Sequence, residues 1–300
     1  MEKIKKRKQK KSNHLNAFTV ILLCVLILYA LLLFGLLLWA FLTSLRTPLD
    51  FLLKPYGFPT KIVDNYSYVF SKFYMTVDNP YGLGNRNVTV WMMFLYAFAY
   101  SFGSAFVNTA TICVTAYVCA RFPNKFTKLI HTVVVVVMII PIVGNLPSEI
   151  RMAQTLGMYN TIWGLWIMKA NFLGLYFLVF YNVYRKVPES FTEAAKMDGA
   201  NNFQIFFRIM FPITWTMFGT VMLINFITFW NDYQTPLIYM KSFPTIAVGV
   251  QWLARSNENG LDAVPNRMAT TVIALVPILI LFSAFSNKLL GNLTIGGLKE

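Results

Sequence analysis

Charge is scarce in this 300-residue chain: Asp, Glu, Lys and Arg together make up 13%, against 57% hydrophobic residues. Ordinary soluble domains carry about 25% charged residues, so a single soluble domain is excluded. Histidine is scarcer still. His14 and His131 are the only two and lie far apart at the edges of apolar runs, which leaves no material for a histidine-based catalytic or metal centre. The three cysteines, Cys24, Cys113 and Cys119, sit inside apolar runs at no metal-ligand spacing and read as small core residues. No Gly-rich Lys-Ser/Thr phosphate loop occurs, so the chain does not hold ATP by that device. No internal repeat marks the inverted halves of many secondary transporters. An integral-membrane enzyme would need a cluster of His, Asp or Cys at a membrane face, and the sequence lacks one.

What is abundant is apolar sequence in runs that reach the ~20 residues needed to cross a bilayer as a helix. In lipid every backbone polar group must be paired internally, so such runs are helical. The expected fold is all-α, a polytopic membrane bundle of six transmembrane helices with both termini cytoplasmic. Residues 1–14 form a basic tail with Lys3, Lys5, Lys6, Arg7, Lys8, Lys10 and Lys11. The net charge of +14 admits a nucleic-acid arm as a competing reading, but cations directly before an apolar run mark the cytoplasmic side, and no nucleic acid is expected. Residues 15–45 are the first span, far longer than the roughly 7–15 apolar residues of a secretory signal. Residues 46–90 are an external segment with turn dipeptides Asn79-Pro80 and Gly84-Asn85. The core, 91–290, holds spans at about 91–120, 129–142, 161–184, 211–230 and 268–290. Pro141, Gly144, Asn145 and Pro147 suggest that the third is broken or reoriented at its end. Residues 291–300 are a cytoplasmic tail. With this topology most of the Lys and Arg fall on the cytoplasmic side, as the positive-inside rule requires.

The longest polar, helix-forming interval of the core is the loop 185–212. Pro188, the acids Glu189 and Glu193, and the pair Ala194-Ala195 read as a helix with a proper start. Asp198 and Gly199 follow, and Gly199 lets the backbone turn into a second amphipathic piece, 203–209, that leads to Pro212. Glu193-Ala194-Ala195, three residues, Gly199, nine residues, Ile209, one residue, then Phe211-Pro212 resembles the EAA motif of binding-protein-dependent ABC importer permeases. Phe211 stands where that pattern has Leu. Asn65-Tyr66, Ala116-Tyr117, Ala120-Arg121-Phe122, Leu156-Gly157, Asn160-Thr161, Trp230-Asn231-Asp232, Pro236-Leu237 and the tail 291–299 are similar to the carbohydrate permeases of the maltose-system class.

The resemblance implies a type I ABC importer permease in the bacterial cytoplasmic membrane, a non-catalytic subunit that binds no cofactor itself. ATP and Mg would sit on the partner ATPase. Two ATPase subunits, a second homologous permease, an extracellular solute-binding protein, membrane lipid and a carbohydrate substrate are the expected partners. Glu193, Ala194, Ala195, Asp198, Gly199, Ile209 and Pro212 would couple the spans to the ATPase. Arg255, Asn257 and Glu258 would face the solute-binding protein.

Read from the residues, the candidate pathway is a set of polar side chains inside the spans. Ser101, Ser104, Asn108, Thr111 and Thr115 share one face of the second span, and Asn225, Thr228 and Asp232 one stripe of the fifth, with Asn231, Phe229 and Trp230 beside it. Such residues face a bundle interior or a water-filled cavity, or they serve as small polar packing contacts between helices. Lys169 in the fourth span either snorkels to the interface or has a functional role, and Trp230-Asn231-Asp232 is either a span anchor or a gate. An ion-coupled secondary transporter is the alternative class, with Lys169 and Asp232 as its few candidate coupling groups.

Overall fold

The computed structural model describes residues 17–140, 144–255 and 261–293. Helix α1 (Ala17–Ser44) is apolar on all sides and exposed from Ala17 to Leu38, as lipid-facing helices are, and becomes buried at Thr43 and Ser44. A clasp follows it. Arg46, fully buried, donates from Nη1 to the carbonyls of Lys54 (2.7 Å) and Pro55 (3.3 Å), closing the loop around α2 (Pro48–Leu53). The Asp50 carboxylate accepts from Thr60 Oγ1 at 2.8 Å and Thr60 N at 3.2 Å, and these bonds hold its pKa below the ordinary carboxylate value. Their contribution is complete above that ordinary value and is lost as pH falls through the lowered one.

Helix α3 (Asn65–Lys72) leads into an antiparallel hairpin, β1 (Tyr74–Asp78) and β2 (Asn85–Thr89), with Tyr74 opposite Thr89 and Asp78 opposite Asn85. The turn dipeptides Asn79-Pro80 and Gly84-Asn85 fall at its tip, where Asn79 N donates to Gly84 O and Gly84 has φ +90°. The segment 46–90 is therefore built of short elements rather than turns alone. The 32-residue α4 (Val90–Arg121) follows directly from β2.

Two expectations for the next spans are corrected. Helix α5 (Lys125–Val137) begins four residues earlier than the apolar run, because Asn124 and Thr127 close a capping box at its start. At 13 residues it is ~20 Å long, short of a bilayer core. Beyond it Gly144 takes φ +82° and α6 (Leu146–Thr155) starts afresh; Pro141 lies outside the described residues. The fourth span is not one helix. It is α7 (Ile162–Met168) and α8 (Leu175–Lys186), separated at 169–174. Gly174 sits at φ +138°, and the Asn171 side chain accepts from Leu173 N at 2.8 Å, which turns the chain out of helical geometry.

Helix α9 (Ser190–Met197) and α10 (Asn202–Ile205) form the loop. A π-helical turn (Phe206–Met210) then joins α10 to α11 (Phe211–Asn231) without a break. Pro212 has no N–H for the carbonyl four residues back and crowds it; the widened turn precedes it directly. The segment 233–267, whose composition reads only as exposed loop, instead contains α12 (Gln234–Tyr239) and α13 (Ile246–Arg255). Tyr239, Met240, Phe243, Ile246 and Leu253 there are core residues. Helix α14 (Val264–Leu293) closes the bundle and packs on α1.

Four stretches are long and apolar enough to cross a membrane among the described residues: α1, α4, the continuous 202–231 helix and Val264–Phe285 of α14. Two cores lie along α4 and α11. One, at the hairpin end, gathers Phe73, Met93, Tyr100, Leu165, Trp230 and Ile246. The other, at the loop end, gathers Tyr117, Phe177, Phe180, Tyr184, Ala195, Ile205 and Phe206.

Candidate functional site

The loop end presents α9 on a rigid base. Its helix closes in the manner expected of a terminal glycine: Gly199 N donates to Lys196 O (3.0 Å), Ala200 N to Ala195 O (2.9 Å), and Gly199 takes φ +81°. Asn201 and Gln204 form a reciprocal capping box that starts α10. Sequence reasoning treats Ala194 and Ala195 alike; the structure separates them. Ala195 is buried against Tyr117, Ile205 and Phe206 of its own chain, while Glu193, Ala194 and Asp198 are exposed. Ile209 is half-buried and Pro212 exposed. On the same loop Phe191, Met197, Phe203 and Phe207 are also exposed, with Met197 at 88%. Exposed apolar side chains on a polar loop mark a surface that a protein partner or the membrane covers.

Arg121, outside the expected site set, ties this loop to the bundle. Its Nη2 donates to Val187 O at 2.6 Å, joining the end of α4 to the residue before Pro188. Replacement by alanine is expected to cost about 1.5 kcal/mol, the range for a hydrogen bond from a charged donor. Limited proteolysis is the check: cleavage within 187–201 should accelerate in the variant, and an unchanged digest would remove the tie from consideration.

The candidate pathway residues divide into four groups. Asn108 and Asn225 meet: Asn225 Nδ2 donates to Asn108 Oδ1 (2.9 Å) and to Thr109 Oγ1 (3.1 Å). Asn108 Nδ2 in turn donates to the carbonyls of Lys169 (2.9 Å) and Asn171 (3.0 Å), so it satisfies the backbone freed where α7 stops. Lys169 and Asp232 form a second cluster. Lys169 Nζ lies 3.8 Å from Asp232 Oδ2 and 3.3 Å from Thr235 Oγ1, and 5.4 Å from the Phe229 ring centre. Tyr100 donates its hydroxyl to Asp232 Oδ2 at 2.9 Å. Lys169 thus has a defined partner and does not reach freely for the interface.

Thr228 and Asn231 belong to neither cluster. Both are exposed, with side chains bonded back to Ile224 O and Ile227 O. Asn231 helps line a cleft of about 240 Å³ with Trp230, Tyr233, Gln251 and Thr271. Ser104 is a correction in placement. It is fully buried, as is Ser101, and neither hydroxyl has a hydrogen-bond partner. At that level of α4 the small residues admit Trp166, whose indole lies over Gly103 and donates to Ala99 O at 3.0 Å. Ser104 is packed away from any hydrogen-bond partner, and Asn108 and Asn225 join α4 to α11 through their side-chain amides. Thr109, Asn171, Tyr100 and Thr235 were missed; Asn171 and Gly174 inside an apolar run were the available signal. Arg255 ends α13 at the surface, and Asn257 and Glu258 lie outside the described residues.

No group of three or more His, Cys, Asp or Glu side chains is placed to hold a metal ion among the described residues. Residues 112–293, from the middle of α4 to the end of α14, match the family described as binding-protein-dependent transport system inner membrane component. The melibiose/raffinose/stachyose import permease protein MelC of Bacillus subtilis (strain 168) is 28% identical over 215 residues, covering 66% of this chain and 77% of its own. The sulfoquinovosyl glycerol transport system permease protein SmoH of Agrobacterium fabrum is 28% identical over 273 residues, 87% of each chain. Among solved structures, a chain of a bacterial ABC transporter involved in the import of the acidic polysaccharide alginate has a TM-score of 0.74 at 18% identity. The likeness covers 92% of this chain and 98% of that one, and it shows the same fold.

Proposed function

The chain belongs to the binding-protein-dependent transport system inner membrane components, and we propose that it is a permease subunit of an ATP-driven carbohydrate importer. It is a non-catalytic multi-pass membrane subunit of such a transporter, working with an ATPase and a solute-binding protein. Two ATPase subunits, which carry ATP and Mg, and one further permease chain complete the assembly in this reading. In this reading the chain has six spans with both termini in the cytoplasm, and α9 would then face the ATPase. The observation that carries the reading is the loop itself. Glu193 and Ala194 are exposed on a helix whose other face is held to the core by Ala195, and Phe191, Met197, Phe203 and Phe207 of the same loop are exposed with them.

Carbohydrate as cargo is supported by relatives named for melibiose, raffinose and stachyose and for arabinooligosaccharides. The cleft lined by Asn231, Tyr233, Gln251 and Thr271 beside Trp230 offers hydroxyl, amide and aromatic surface suited to a sugar. Asn108, Asn225, Lys169 and Asp232 hold helices together, since their polar atoms are already engaged. The ion-coupled alternative finds no support: Asp232 is committed to Lys169 and Tyr100.

Reconstitution into liposomes is the test. Uptake of a radiolabelled oligosaccharide should require the ATPase, ATP and the binding protein together. Uptake by this chain alone, driven by an ion gradient, would overturn the reading.

A further inference from the structure

A cavity of about 570 Å³ opens where the end of α4, the start of α5 and the end of α8 meet. None of the candidate coupling or pathway residues lines it. Its wall carries Arg121, Lys128, Arg185 and His131, the hydroxyls of Thr127 and Thr132, and a single carboxylate, Glu189. Among the described residues, Arg121, Lys128 and Arg185 are in no ion pair with a carboxylate. Tyr181 organises two of the groups: the His131 ring lies 4.6 Å from its centre, and the Arg185 guanidinium 5.8 Å from it. The result is a roomy, partly enclosed recess with cationic charge in excess, and it calls for an anion.

Its setting selects the kind of anion. Helix α5 runs from the recess into the apolar part of the bundle. Leu129, Val133 and Val136, at positions i, i+4 and i+7, form one exposed apolar strip, at 58%, 41% and 44% exposure. Lys128 and Thr132 lie on the adjoining face of the same helix. His131 is ~9 Å from the helix start at Lys125, about the depth of a headgroup layer. Cations and hydroxyls therefore stand beside an apolar strip on one short helix, in the order in which a phospholipid presents phosphate and acyl chain. Basic recesses between helices on the cytoplasmic side are suited to anionic headgroups.

We propose that this recess binds the headgroup of an anionic phospholipid, with its phosphate among Lys128, Arg185 and Arg121 and its acyl chain along Leu129, Val133 and Val136. Arg121 and Glu189 also border a second groove, of about 230 Å³, lined by Glu193 and Lys196 at the base of the loop. A bound headgroup would thus sit at the joint between α4, α8 and α9. The proposal rests on this end of the bundle lying in a headgroup layer and is independent of the cargo.

The experiment uses the full chain with its partner subunits in nanodiscs of phosphatidylcholine alone or with added phosphatidylglycerol, followed by native mass spectrometry of retained lipid. The unaltered chain should keep phosphatidylglycerol. The pair Lys128→Gln with Arg185→Gln should weaken its retention by about ten-fold or more, with phosphatidylcholine unchanged, and Lys128→Arg with Arg185→Lys should restore it. Equal retention in the Gln pair would overturn the proposal. So would displacement of the lipid by millimolar inorganic phosphate, which would make the recess a free-anion site. Loss of the ATPase subunit with lipid still bound would assign the cations to a carboxylate of that partner instead.

Discussion

Replacing Gly199 by valine is expected to cut ATP-dependent uptake by more than ten-fold while leaving the protein in the membrane at close to its normal level. Nothing lies within 4 Å of a Cβ built at this position, so lack of space is not the cause. The cause is φ +81°, where an L side chain costs about 1–2 kcal/mol and a β-branched one is an outlier. The chain escapes that strain by releasing the bonds from Gly199 N to Lys196 O and from Ala200 N to Ala195 O, which fix the end of α9. Helix α9 then no longer meets α10 at its present angle, and the exposed Glu193–Ala194 face is re-aimed. Asparagine, which tolerates this conformation, should retain most of the uptake. Equal loss in the Asn and Val variants would place the effect in side-chain bulk rather than backbone conformation. Full uptake with valine would remove the loop from coupling.

The second large effect is expected at Asp232. Its truncation to alanine strips Lys169 of its 3.8 Å partner, Tyr100 of its acceptor and Thr235 N of its cap at 3.0 Å. Breaking a fully buried pair costs about 3–5 kcal/mol because a charge is left unpaired. The side chains of Lys169 and Asp232 are 27% and 19% exposed, so solvent screening lowers the expectation to about 2–3 kcal/mol. Lys169→Met alone should cost less, and the double variant Lys169→Met with Asp232→Ala should cost less than the two singles together. Thermal unfolding of the detergent-purified complex reads all three. Strictly additive losses would mean that the two charges act independently.

The loop was the most legible part of the chain. The fixed spacing from Glu193 to Gly199 to Pro212 anticipated a helix, a turn with positive φ and a second helical piece, and the structure has each. The facing of the Ala194–Ala195 pair was not legible, because which alanine turns inward depends on Tyr117 and Phe206, distant in sequence from the pair or beyond the turn. The break at Lys169 to Gly174 was hidden for a different reason. Trp163, Leu165, Ile167, Phe172 and Leu173 keep the average hydropathy high across it, while the breaking agents are two local groups, the Asn171 side chain and Gly174. Helix α13 was masked by its environment: Gly249 weakens local helix propensity, yet its bare Cα lets Met93 and Phe73 pack closely, since an added Cβ would meet them at 2.7 and 3.3 Å. Asn108 and Asn225 were legible as polar groups inside spans, but their shared bond was not, because it joins residues 117 apart.

The uninterrupted helix from Asn202 to Asn231 has a mechanical consequence. Thirty residues make a rod ~45 Å long, with the loop at one end and Thr228 and Asn231 at the other. Tilting such a rod by ~10° about one end sweeps the other through ~8 Å, more than one helical turn. A modest rocking at the loop is thereby geared up into a displacement as large as a sugar ring, with no hinge needed along the way. The π-turn before Pro212 is the one place where this lever has slack. Tightening it, or loosening it further, would set how much of the stroke arrives.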